Sequence, residues 1–136
     1  MAAQAAQRMA MNTLFDSVIL IDHFNGVAAA GAYLQAMRAD GAISVITRAE
    51  VLCGFDDDAR TAALQLLDRF PTLNIDREAA DLAAGLRRLH RWKLPDAFQA
   101  ALARIHGLKL ATRNTKDFPP REIRFRCRAL PTLGAG

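Results

Sequence analysis

Short apolar runs alternate along this chain with longer stretches of helical period, and each is closed by a polar or glycine-bearing break. Thr13, Leu14 and Phe15 form a strand-like run that leads into Asp16. The next stretch, SVILID, is apolar and β-branched, and its periodicity fits a strand as well as a helix. Asn25-Gly26 ends it. Residues 28–39 are alanine-rich, with Tyr33, Leu34 and Met37 at helical spacing, and Asp40-Gly41 stops that helix. Residues 42–46, AISVI, read as a short buried strand. Thr47 then serves as an N-cap, with Glu50 three residues on in a capping-box pattern. The helix that begins at Glu50 is interrupted at Gly54 and Asp56-Asp57-Asp58.

Residues 59–70 place Ala63, Leu66, Leu67 and Phe70 on one face, and residues 73–75 form a short strand. Residues 77–92 read as an amphipathic helix with Ala80, Ala83, Ala84 and Leu89 in its stripe. Pro95 suits an early position of the next helix, which carries Phe98, Ala101, Leu102 and Ile105 and closes at His106-Gly107. Residues 108–111 and 123–127 complete the strands. Strands that alternate with helices along a whole chain predict an α/β fold with a parallel sheet covered by helices. We expect a single domain over residues 11–136 and a flexible extension over residues 1–10.

Composition narrows this picture. The chain has 136 residues, 51% hydrophobic and 24% charged, which suits one globular domain and excludes a disordered one. Its formal net charge of +4 favours anionic partners such as nucleic acid, although a solvated basic surface accounts for it too. Cys53 and Cys127 stand far apart without a CxxC or Cys/His grouping, which argues against zinc and against a disulfide framework. No run reaches the roughly 18 apolar residues of a membrane helix, and the start lacks a signal-peptide pattern. A cytoplasmic protein with no membrane partner is expected.

In open parallel sheets ligands bind at the carboxyl ends of strands, so residues just after strands carry the candidate chemistry. Asp16 lies in or at the end of the first strand, Glu50 follows AISVI, Asp96 opens the helix before LKLAT, and Asn114 and Asp117 follow LKLAT. Carboxylates that converge repel one another unless a divalent cation lies between them. Such a site activates water and stabilises a transferring phosphoryl group, and a basic surround holds a phosphate backbone. Each acid also has a structural reading: Asp96 as a first-turn acid, Glu50 in a capping box with Thr47, Asp117 in a turn. His106 reads as a helix C-terminal residue, and neither it nor His23 or His90 lies near a matching nucleophile motif.

Three blocks in order, FDSVILIDHFNG, ITRAEVLCG and LPDAFQAALARIHGLKLATRNTKDF, resemble the PIN-domain ribonucleases of the VapC toxin type. The resemblance implies a three-layer α/β/α sandwich with a central, mostly parallel sheet. It also implies Mg2+- or Mn2+-dependent cleavage of RNA to a 5′-phosphate and a 3′-hydroxyl. A cognate antitoxin and a homodimer are implied as partners. The family's acids fall on Asp16, Glu50 and Asp96, with Asp117 completing the metal site and Asn114 orienting a ligand or water. Ser17 matches the small hydroxyl residue that comes after the first aspartate. Val18 stands where many members have a small polar residue, and Asn114 where many have aspartate. Arg113 and Lys116 flank the site as RNA contacts. Arg124, Arg126 and Arg128 alternate with Ile123, Phe125 and Cys127, either as an RNA track or as a charged edge strand. Exposed parts of the stripes over 28–39 and 59–70 would receive an amphipathic segment of the antitoxin. An RNA-processing PIN nuclease without an antitoxin, and a silent RNA- or protein-binding module, are the alternatives.

Overall fold

Neighbouring residues of a strand face opposite sides of its sheet, and in a computed structural model of the chain each side meets its own helical layer. The structure describes residues 11–112 and the strand at 127–128. Five strands, β1 (Thr13–Phe15), β2 (Gly41–Ser44), β3 (Thr72–Leu73), β4 (Lys109–Ala111) and β5 (Cys127–Arg128), form one sheet in the order β3-β2-β1-β4-β5. All pairings are parallel; Thr13 lies opposite Gly41 on one side and opposite Lys109 on the other.

The described helices are α1 (Ser17–Phe24), α2 (Ala28–Ala36), α3 (Val45–Leu52), α4 (Asp57–Leu67), α5 (Arg77–His90) and α6 (Leu94–His106). Leu14, Ala42 and Leu110 pack with α5 and α6 around Ala83, Leu86, Ala100 and Leu102. Phe15, Ile43 and Ala111 face the other way, into Ile19, Leu20, Leu34, Val51, Leu67 and Phe70 from the layer of α1 to α4. The expected α/β/α sandwich with a parallel sheet is what the chain forms.

One local reading left open by the sequence is settled, and several others are corrected. SVILID is helical, because the Asp16 side chain caps it by accepting from the Ser17 N–H, and both Ile19 and Leu20 are fully buried. The strand AISVI stops at Ser44, two residues early, since the Ser44 hydroxyl accepts the Thr47 N–H and starts α3 at Val45. Thr47 is therefore not an N-cap, and Glu50 lies inside α3 rather than in a capping box. Asp56-Asp57-Asp58 opens α4, with Asp56 as N-cap and its neighbours in the first turn. The third strand spans Thr72–Leu73 instead of 73–75. The buried stripe of α5 is Ala79, Ala83 and Leu86, and Leu89 is 74% exposed. Both helices of that layer end on positive-φ residues: Gly107 closes α6 at φ 67°, whereas α5 closes on Arg91 at φ 60°. A left-handed non-glycine residue costs about 1–2 kcal/mol. The predicted strand over 123–127 has only Cys127 among the described residues, paired at the edge of the sheet beside β4.

Candidate active site

The carboxyl end of β1 carries a buried acid held at both oxygens. β1 lies between β2 and β4, and its last residue, Phe15, is fully buried. The chain turns at Asp16, whose N–H donates to the Ala111 carbonyl at 2.9 Å and ties it to the end of β4. Its Oδ1 accepts from the Ser17 N–H at 2.8 Å, and its Oδ2 accepts from the Thr112 hydroxyl at 2.6 Å. Asp16 is 8% exposed. Both carboxylate oxygens are thus held by short bonds, the second from a residue 96 positions away.

Glu50 and Asp96 reach the same place from two helices. α3 begins at the carboxyl end of β2 and carries Glu50 half-buried in its second turn. α6 precedes β4, so its start lies over the carboxyl ends of the strands, and Asp96 is in its first turn. Lys93 is the N-cap of α6 and makes no side-chain cap bond, and an acid in that first turn is favoured by the helix dipole. Asp16, Ser17, Val18, Glu50, Lys93, Pro95 and Asp96 line one cavity of about 360 Å³.

A buried polar layer lies one helical turn below. Thr47 stands three residues before Glu50 on α3, and Gln99 three residues after Asp96 on α6, spacings that share a helix face. The Gln99 Nε2 donates to the Thr47 Oγ1 at 2.6 Å, and the Thr47 hydroxyl donates to the Phe15 carbonyl at 3.3 Å. Thr47 and Gln99 are 0% and 1% exposed. This chain of bonds links the end of β1 to the helices that carry the other two acids. The Gln99 Oε1 has no partner among the described residues, an unusual state for a buried carbonyl.

The structure therefore brings together Asp16, Ser17, Glu50 and Asp96 of the expected site. Arg113, Asn114, Lys116 and Asp117 lie outside the described residues. Lys93, Thr47, Gln99 and Thr112 were not singled out as site residues from sequence. A lysine before a Leu-Pro pair reads locally as a solvated charge, and the other three act through partners far away in the chain. Oxygen donors with no histidine or cysteine among them suit a hard cation such as Mg2+. Among the described residues no group of three or more His, Cys, Asp or Glu is close enough to ligate one ion together. The cavity has room for an ion that keeps its waters, since six waters occupy roughly 180 Å³ at ~30 Å³ each.

The fold and this acid-lined strand edge define a class. The PIN domain family matches residues 13–120, and the chain belongs to it. Ribonuclease VapC10 of Mycobacterium tuberculosis is 41% identical over 113 residues, covering 78% of this chain and 85% of that protein, and the resemblance to VapC-type ribonucleases holds. A toxin–antitoxin complex from Klebsiella pneumoniae contains a chain 40% identical to this one, at a TM-score of 0.74, covering 79% of this chain and 91% of the other. The DNA-bound VapBC of Salmonella typhimurium shares the fold at 19% identity, with a TM-score of 0.73 over 88% of this chain and 98% of the other. No helix among the described residues is long and apolar enough to cross a membrane.

Proposed function

We propose that the chain is a metal-dependent endoribonuclease and the toxin of a toxin–antitoxin pair. The observation that carries the catalytic reading is the cavity at the strand edge into which three separate elements deliver Asp16, Glu50 and Asp96. Three carboxylates lining one cavity are stabilised by a divalent cation, and Mg2+ or Mn2+ fits the all-oxygen donor set. These acids would hold the ion, partly through its waters, with Asp117 completing the set and Asn114 orienting a ligand or water. A cation bound there would activate a water and offset charge on the phosphoryl oxygens. The protein's own part is orientation: Thr112 and the Ser17 N–H fix both oxygens of Asp16, and the Thr47–Gln99 bond sets α3 against α6. Arg113 and Lys116 are proposed phosphate contacts. The relatives named ribonuclease and toxin–antitoxin complex support RNA as substrate and a cognate antitoxin as partner, and a homodimer is the assembly proposed with them.

Purified chain free of antitoxin, incubated with a mixed RNA pool, is expected to cleave only with Mg2+ or Mn2+. Asp96→Ala is expected to fold normally and to lose on the order of 100-fold or more of that activity. Cleavage that persists without metal, or at full rate in Asp96→Ala, would overturn the assignment. Growth arrest on expression, relieved by Asp96→Ala, tests the toxin role.

A further inference from the structure

The stretch Arg87–Lys93, RRLHRWK, contains four of the chain's 18 lysines and arginines and no acid. It forms the corner between α5 and α6. Arg87, Arg88 and His90 occupy the last turn of α5, where cations complement the helix dipole. The dipole accounts for their charge but not for the turn itself. Arg91 is the only non-glycine residue with positive φ among the described residues, in a position that usually favours glycine. The Arg87 guanidinium donates to the Trp92 carbonyl at 2.6 Å, and the His90 ring stacks on Trp92 at 4.1 Å and 11°. Trp92 is 5% exposed and anchors the corner in the core. The outcome of this turn is directional: Arg88 and Arg91 are exposed beside it, and two residues beyond Arg91 the chain delivers Lys93 to the wall of the acid-lined cavity. Two residues span at most ~7 Å of backbone, so Arg91 stands close to that cavity.

We infer that Arg88, Arg91 and Lys93 form a binding track for the sugar-phosphate backbone of single-stranded RNA, leading the strand to the carboxylate cavity. The inference rests on the nuclease reading and adds to it a substrate-approach surface on the α5–α6 corner. An anionic strand cannot approach an acidic cavity without cations beside it, and this corner supplies Lys93 on the cavity wall, Arg91 two residues from it and Arg88 exposed on the helical turn before. Arg87 is excluded from the track because its guanidinium is engaged with Trp92.

Fluorescence anisotropy with labelled single-stranded RNA oligonucleotides of two unrelated sequences tests this. The full chain carrying Asp96→Asn, which blocks cutting, is titrated between about 50 and 300 mM salt. Arg88→Ala, Arg91→Gly and Lys93→Ala are each expected to weaken binding several-fold, equally for both sequences. Each is expected to lower the slope of log K against log salt by about 0.7, the value for one lost single-strand phosphate contact. Arg88→Lys is expected to restore the slope. Arg91→Gly carries the decisive contrast, because glycine relieves the left-handed backbone: melting temperature holds or rises while RNA affinity falls. Unchanged RNA affinity in Arg91→Gly and unchanged slopes in the other two overturn the track. So does a set of variants that lose affinity for an antitoxin protein alone. If the unsubstituted chain cleaves RNA with metal while the variants bind RNA normally, only the track falls. A chain that neither binds nor cleaves RNA removes the nuclease reading with it.

Discussion

Thr47 shows how a single hydroxyl can set the spacing of a site it does not line. It receives the Gln99 amide and donates to the Phe15 carbonyl, so three elements meet on one oxygen. Thr47→Val keeps the shape and removes the bonds, leaving the Gln99 amide buried with neither end paired. Urea denaturation is expected to show a loss of about 1–3 kcal/mol. Gln99→Leu is expected to cost less, because it also removes the unpaired Oε1. The reverse order would mean that the layer is not held by this bond. Asp16, Glu50 and Asp96 were legible in the sequence because each is an acid flanking an apolar run. Thr47 reads from sequence only as a cap, a role that Ser44 takes instead, and Gln99 and Thr112 were not legible at all. Their partners lie 52 and 96 residues away, and no local pattern encodes such a distance.

At the scale of elements, caps decided what periodicity left open. SVILID is buried on more than one side, so its apolar run lacks the polar interleaving that tells a helix from a strand. The Asp16 cap resolves it into α1, and the Ser44 cap likewise cuts β2 short. The order and type of the remaining elements came from their alternation, and their ends shifted by a few residues where a side chain captured a backbone N–H. Close approach between elements leaves a sharper trace at Gly41. A Cβ there would lie 2.2 Å from the Phe15 ring and 3.2 Å from the Met37 carbonyl. Phe15 is fixed edge-on between Tyr33 and Phe70, so it has no room to yield. Gly41→Ala is expected to lower the unfolding free energy by about 1–3 kcal/mol or more in a urea titration, with β1–β2 pairing strained. A variant as stable as the parent would show that the ring can move.

For the whole molecule, the proposed cation links activity to stability. An ion that binds the folded chain alone adds about 2.7 kcal/mol at a hundredfold excess over its dissociation constant, a rise on the order of 10 °C in melting temperature. Scanning calorimetry with and without Mn2+ is expected to show that rise, and EDTA to abolish it. Glu50→Gln removes one of the facing carboxylates. It is expected to melt higher than the parent in EDTA and to respond less to Mn2+. A parent chain indifferent to Mn2+ would count against metal at this site. The sheet order has a consequence for synthesis. β1 is made first, yet its neighbour β4 and the Thr112 hydroxyl that grips Asp16 are made nearly a hundred residues later. A nascent chain halted before residue 96 lacks one acid outright, and one halted before residue 112 lacks the clamp on another. Translation thus delays assembly of the acid-lined strand end until the chain has passed residue 112.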